Sequence, residues 1–314
     1  MYEKEARYIR ENVLVNSDRK FILGTDWWTD CDDCIAMQLL CLAHKHGAIN
    51  LIGVGINACM EYSAPSVCAY LEDAGLSDIP IGIDLEATDF TGVPKYQKRM
   101  APKARRIKNN TEAENAVKLY RRLLSESEGT VEILEIGFCQ VLAGLLESLP
   151  DDISPLSGIE LLQEKVSKIW VMAGKWDEQG GREHNFSNNL RASLAAEKLL
   201  RLCPWEMTFL GWEIGVSVIS ASVLKGKDTF TANAMLDNGM ADGRDSWDPM
   251  LVLLAIIGDE KKAGYKTVRG KATVDSKTGA NYFTEDACGR HCYVIKAEPN
   301  DFYKNAIDKM LLWE

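Results

Sequence analysis

Four carboxylates stand within eight residues of one another in the stretch Gly24-Thr25-Asp26-Trp27-Trp28-Thr29-Asp30-Cys31-Asp32-Asp33-Cys34. Like charges crowded this way disfavour one another's ionised form unless a counter-charge is supplied. A helix starting near Asp32 supplies part of it, yet a helix N-terminus contributes only about 0.3–1 kcal/mol per charge. Capping alone needs one or two Asp and gives no reason for Asp26, on the strand side of the turn. A hard divalent cation, Ca²⁺ or Mg²⁺, accounts for the excess. The spacing is not that of an EF-hand, because Gly at the sixth position and Glu at the twelfth are missing from either Asp26 or Asp30. Nor is it the Asp-x-Asp of phosphotransferases, since position 28 is Trp. Cys31 and Cys34 have CxxC spacing, but no second Cys or His pair follows at zinc-finger distance.

Elements that position such a cluster are legible around it. Short Ile- and Val-rich runs predict strands at Phe21–Asp26, Asn50–Asn57, Ile79–Ile83, Val131–Gly137, Lys168–Gly174 and Trp205–Ile214. Helical periodicity fills the gaps at Cys34–His46, Ala64–Ala74, Thr111–Ser125, Cys139–Ser148 and Ser193–Leu202. The alternation predicts an α/β fold, an open, mostly parallel Rossmann-like sheet flanked by helices. Lys266–Asp275 and Arg290–Ala297 read as a small antiparallel C-terminal addition joined by residues 275–289, before a last helix at Asn300–Trp313. No internal repeat or Pro/Gly/Ser linker divides the chain, so one domain over residues 1–314 is expected. Ligands of open α/β sheets bind beyond the carboxyl ends of the strands, where the four Asp fall.

Composition narrows the partners. With 36 Lys and Arg against 46 Asp and Glu, the net charge of −10 disfavours nucleic acid and anionic membranes. No run approaches 18 apolar residues, and the N-terminus has no apolar signal core. Nine cysteines, scattered mostly among apolar neighbours, suit reduced thiols of a cytoplasmic protein. One stretch opposes the global charge: Lys95 to Lys108 holds seven Lys and Arg and no acid, and reads as a solvated surface segment or a lid for an anionic group.

Beyond the first motif the chain resembles the inosine-uridine-preferring nucleoside hydrolases. Thr25-Asp26 and Asp32-Asp33-Cys34-Ile35-Ala36 are similar to that family's Asp-rich signature with two extra residues in the turn. Asn57 follows the second strand, and Ile136-Gly137-Phe138-Cys139-Gln140-Val141-Leu142-Ala143 resembles the Gly-Pro-Leu-Thr-Asn-Leu-Ala turn. Val171-Met172-Ala173-Gly174 stands where the family has Met-Gly-Gly, Glu183-His184-Asn185-Phe186 resembles its Glu-Phe-Asn ribose motif, and Ser246-Trp247-Asp248-Pro249 its C-terminal His-Asp or Trp-Asp motif. The matches run in order from about residue 20 to 300.

The resemblance implies Ca²⁺-dependent hydrolysis of a ribonucleoside to ribose and free base. It implies Asp26, Asp33, Asp248 and the main-chain carbonyl of Gln140 as metal ligands, with Asp26 also the base that deprotonates water. Asp32 would accept from the ribose 2′-hydroxyl, Glu183 and Asn185 would bind ribose, and Asn57 and Met172 would line the sugar pocket. It further implies a cytoplasmic salvage enzyme acting as a homodimer or homotetramer.

Trp247 occupies the position at which some members carry a His as acid for the departing base, and it has no ring proton to give at neutral pH. Stacking of the base on Trp247, Trp27 or Trp28 is one substitute, and Glu213 is a further candidate for the pocket. The family's Gly-His-Gly loop after the third strand is replaced by Ala87-Thr88-Asp89-Phe90. Two other readings stay open: hydrolysis of another pentoside or of a ribonucleotide, and a sugar- or nucleoside-binding protein without turnover.

Overall fold

The structure, a computed structural model, describes residues 7–313. Its first half runs β1 (Lys20–Thr25), α1 (Asp32–Lys45), β2 (Asn50–Ile56), α2 (Ser63–Asp73), β3 (Ile81–Ile83), β4 (Glu114–Asn115), α3 (Ala116–Glu126), β5 (Val131–Glu135), α4 (Gln140–Glu147), α5 (Gly158–Lys165) and β6 (Val166–Met172). The second half runs α6 (Leu190–Leu202), β7 (Met207–Leu210), β8 (Ile219–Ser220), α7 (Phe230–Asp237), β9 (Arg244–Asp245), α8 (Trp247–Ile257), β10 (Tyr265–Val274), β11 (Asn281–Glu285), β12 (His291–Lys296) and α9 (Asn300–Leu311), with shorter helical turns between.

Ten strands join one sheet in the order β11-β10-β12-β7-β6-β5-β1-β2-β3-β4. From β12 to β4 all neighbours are parallel, and β10 pairs antiparallel with β11 and β12. Strands covered by helices on both faces need apolar residues on both, and Phe21-Ile22-Leu23 of β1 is buried throughout. One core packs α1, α2, α8 and α9 on one face, and the other packs α3 to α6 on the opposite face. Helix α8 is apolar all round, as a helix enclosed by its neighbours must be. Strand order runs outward from β1 in both directions, toward β2 on one side and β5 on the other. This places a crevice beyond the carboxyl ends of β1 and β5.

The expected elements are present with shifted ends. The strand expected at Trp205–Ile214 stops at Leu210, where Gly211 leads into a helical turn at Trp212–Gly215. The helix expected from Thr111 begins at Ala116, where the Asn115 side chain accepts from Lys118 N. Residues 275–289 are not only a connector, because Asn281–Glu285 within them pairs along β10 as an edge strand. None of the nine cysteines is disulfide-bonded, and all but Cys59 and Cys288 are buried. No helix among the described residues is long and apolar enough to cross a membrane.

The C-terminal addition carries a pH signature. His291 is buried in β12, its Nδ1 accepts from Ala272 N at 2.9 Å, and burial pushes its pKa down to about 4. The unfolded chain binds that proton near pH 6.5, so the neutral ring contributes stability that is lost as pH falls from about 6.5 toward 4. The loss reaches about 3 kcal/mol at most. Urea unfolding of His291→Gln across this window is expected to show a shallower slope with pH than the parent protein.

Candidate active site

The carboxylates gather because three chain segments end at the crevice. β1 delivers Asp26, α1 opens with Asp32 and Asp33, and α8 opens with Trp247 and Asp248. Trp27 makes the turn between the first two possible, at φ 46°, a left-handed conformation costly for a bulky residue. It is held there by burial: its indole N–H donates to Ser66 Oγ at 2.9 Å, and Tyr70 and Tyr96 pack edge-on against the ring. With Trp27 pointing inward, Trp28 is turned to the crevice.

Asp32, Asp33 and Asp248 are buried, and one carboxylate oxygen from each lies within 4.8 Å of the others. Asp33 Oδ1 accepts from the Thr25 hydroxyl and from Trp27 N at 3.2 Å, which fixes its orientation. The main-chain N–H of Asp248 faces Asp32. Asp26 lies alongside and accepts from Trp28 N at 3.1 Å. Burial first, and then one another's charge, hold all four well above the ordinary carboxylate range.

The counter-charges on hand are too weak to ionise the group. The N-termini of α1 and α8 both aim at it, at about 0.3–1 kcal/mol per charge. Arg244 is the only Lys or Arg among the described residues lining the cleft. Its guanidinium is taken by Asp30, at 2.6 and 2.9 Å, and by Asp245 at 2.7 Å. Three convergent buried oxygens short of positive charge are the donor set of a hard divalent cation, so the residues present fit one.

The cleft around them has a volume of about 240 Å³. Ile136 and Met172 form apolar floor positions beside Glu183 and Asn185. Glu183 caps the short turn His184–Ser187: its Oε1 accepts from Asn185 N at 2.8 Å and its Oε2 from Gly174 N at 2.9 Å. Burial raises its pKa to about 7. Asn185 Nδ2 donates to Met172 O at 2.9 Å, tying the turn to the end of β6. One wall is Trp28 with His184 stacked on it at 5.5 Å and 27°. The opposite rim is Trp212, Trp247 and Arg244, whose guanidinium lies 4.8 Å over the Trp247 ring. A larger cavity of about 650 Å³ lies between α3, α4 and α6 and lacks this convergence of buried carboxylates.

No known family's sequence profile matches the chain, and no curated protein sequence matches it. Solved structures do. The purine-preferring ribonucleoside hydrolase of Gardnerella vaginalis superposes with a TM-score of 0.64 at 15% identity, over 93% of this chain and 99% of that one. The inosine-uridine preferring nucleoside hydrolase of Bacillus anthracis gives 0.64 at 14%, over 93% and 99%. The type III effector protein XopQ, solved in complex with adenosine diphosphate ribose, gives 0.65 at 14%, over 98% and 96%. The fold is that of the nucleoside hydrolases.

On this nucleoside hydrolase fold, Asp26, Asp32, Asp33, Met172, Glu183, Asn185, Trp247 and Asp248 all line the one cleft. The tight carboxylate trio differs from the expected one, since it contains Asp32 where Asp26 was expected. Asn57 is a correction. Asn57 is fully buried behind the cleft, donating to Glu135 Oε1 at 2.7 Å and accepting from Phe138 N at 2.9 Å, so it braces the β5 turn and lines no sugar pocket. Gln140, whose main-chain carbonyl is the expected ligand, opens α4, and its side chain lines the larger cavity with the amide donating to Asn57 O. Trp27 is unavailable for stacking because it is core. Glu213 turns its carboxylate to Trp176 N at 3.2 Å and does not line the cleft.

The basic stretch is likewise no lid over the cleft. Arg99 pairs with Asp237, Arg105 and Arg106 with Glu72, and Lys103 sits 4.6 Å over the Phe230 ring. Ile136, His184, Trp212 and Arg244 were not singled out as cleft residues. The signal for His184 was its place between two that were.

Gly137 shows how tightly the site is built, because a Cβ there would lie 2.3 Å from Asp26 N and 2.5 Å from Asn57 Oδ1. Backbone cannot yield cheaply at such distances. Gly137→Ala is expected to lose about 1–3 kcal/mol of stability and to weaken cation binding, read by urea unfolding and by calorimetric Ca²⁺ titration.

Proposed function

We propose that this protein is a Ca²⁺-dependent N-ribosyl hydrolase that splits ribonucleosides into ribose and free base. The observation that carries the proposal is the trio Asp32, Asp33 and Asp248 beside Asp26, at the crevice of a nucleoside hydrolase fold. Asp33 and Asp248 belong to both the expected ligand set and the observed trio, and they hold the cation, with Asp32 and Asp26 flanking it. A bound Ca²⁺ supplies charge compensation and acidifies a coordinated water.

Every other contribution comes from the chain. Asp26 takes the proton from water as general base, its carboxylate oriented by Trp28 N. Asp32 accepts from the ribose 2′-hydroxyl and, with its neighbours, places negative charge where an oxocarbenium-like transition state develops positive charge. Glu183 and Asn185 fix the remaining ribose hydroxyls from a turn that is itself locked by four hydrogen bonds: Glu183 to Asn185 N and Gly174 N, Asn185 to Met172 O, and Phe186 N to Glu183 O. Stacking on the rim aromatics Trp212 and Trp247 holds the base, worth about 1–3 kcal/mol by analogy with bases on aromatic platforms.

The cleft disfavours a phosphorylated substrate, because its single arginine is already paired with two carboxylates. Nucleosides are therefore expected to exceed their 5′-monophosphates in kcat/KM by at least tenfold, measured side by side with released reducing sugar. Equal or inverted rates would move the assignment to ribonucleotides. A binding protein without turnover is the second reading, favoured by Trp247 and by the adenosine diphosphate ribose complex of XopQ. Calorimetric binding of nucleoside with no product would select it.

A further inference from the structure

The proposed hydrolysis needs a proton for the departing base, and Trp247 cannot provide it. Its indole N–H is also committed, donating to Trp212 O at 2.8 Å. Glu183 accepts main-chain N–H groups at both oxygens, which keeps it an acceptor for ribose hydroxyls and not a proton donor to the base. The trio and Asp26 belong to the cation and the water. Among the chain's four histidines, His44 accepts from Leu51 N and His291 from Ala272 N, and neither these two nor His46 lines the cleft.

His184 does line it. Its ring is clamped in orientation by Trp28, stacked at 5.5 Å, and by Phe138 at 5.6 Å. Among the described residues, the only side chain hydrogen-bonded at its ring nitrogens is Asn188, at 3.3 and 3.5 Å, the edge of hydrogen-bonding range. Trp28 and Phe138, themselves 6.0 Å apart, hold the ring from one side, and a ring so held with its polar edge underused is organised for a ligand. Trp212 and Trp247 line the same cleft and offer it aromatic rings, so the imidazole and a bound base share one cavity.

We infer that His184 is the general acid that protonates the leaving base, taking over the role the Trp at position 247 cannot fill. This rests on the hydrolase reading above. The bond from C1′ to the base nitrogen breaks, its electron pair goes to the base, and the His184 imidazolium gives its proton to a ring nitrogen or oxygen of that base. The water oxygen bonds to C1′ and its proton goes to Asp26. His184, left neutral, regains a proton from solvent. Burial lowers its pKa, opposed by the Asp30 charge, which makes the imidazolium a stronger acid than one in water.

The test exploits leaving groups. p-Nitrophenyl β-ribofuranoside departs as a stabilised phenolate without an acid, whereas inosine, adenosine, uridine and cytidine need one. Two variants are compared with the parent protein: His184→Gln, and His184→Phe, which keeps a ring on Trp28. Both are expected to lose about 10²-fold or more in kcat on the best nucleoside of the panel, as removal of a general acid does, while p-nitrophenyl riboside turnover stays within about threefold. Retained aryl turnover also reports that the variant is folded. Equal losses on both substrates in either variant, or no loss on the nucleoside, would overturn the inference. A parent protein inert toward all five substrates would instead overturn the hydrolase reading itself.

Discussion

Asp26→Asn is expected to lower kcat on nucleosides by about 10³-fold, within the range for losing a general base, while Ca²⁺ still binds. The substitution keeps shape and the acceptor for Trp28 N, and removes only the ability to take a proton. Asp33 and Asp248, which the account assigns to the cation, are untouched. Ribose release and calorimetric Ca²⁺ titration on the same preparation separate the two roles. Loss of Ca²⁺ binding together with activity would make Asp26 a ligand before it is a base, as the sequence resemblance implies; kcat within tenfold of the parent would remove it from the chemistry.

The second large effect concerns the cation. Chelation is expected to abolish turnover and Ca²⁺ to restore it, with a gain in thermal stability on addition. At a concentration 100-fold above Kd the gain is about 2.7 kcal/mol, or several degrees in Tm for a chain of this length. Asp248→Asn should behave in the opposite sense without metal. It deletes one of three mutually repelling carboxylates held within 4.8 Å, so the metal-free variant melts above the metal-free parent. It then shows no Ca²⁺-dependent shift and no turnover. The pH sign follows: folded pKa values raised above the unfolded ones destabilise as pH rises through the acid range. The metal-free parent therefore loses stability relative to Asp248→Asn as pH increases from about 4 toward neutrality. A metal-free variant less stable than the parent would mean that Asp248 contributes a native hydrogen bond that outweighs its charge.

Much of this was legible because it depends on short-range pattern. Both β1 and β2 read as strands from short runs rich in Ile, Leu and Val, and the carboxylate excess at residues 26–33 called for a cation before any fold was known. Asp248, by contrast, reads as an ordinary helix cap on its own, and only the packing of α8 on α1 brings it to Asp33. Asn57 shows the opposite failure. Its chain position matches the motif, yet its side-chain direction is decided by contacts 78 and 81 residues away, with Glu135 and Phe138 claiming it. Trp27 and Trp28 are indistinguishable by type and adjacent in sequence. The left-handed φ of Trp27 sends one to the core and the other to the cleft. β11 escaped notice because an edge strand with one solvated face, Asn-Tyr-Phe-Thr-Glu, has the polarity of a loop.

The most direct measurement is proton NMR of a nucleoside panel incubated with the Ca²⁺-loaded protein in phosphate-free buffer. The account predicts equimolar ribose and free base from at least one nucleoside, at a rate that falls to background with excess chelator and returns with Ca²⁺. Nucleosides left intact across purine, pyrimidine and nicotinamide ribosides, with Ca²⁺ bound and the protein folded, would contradict it.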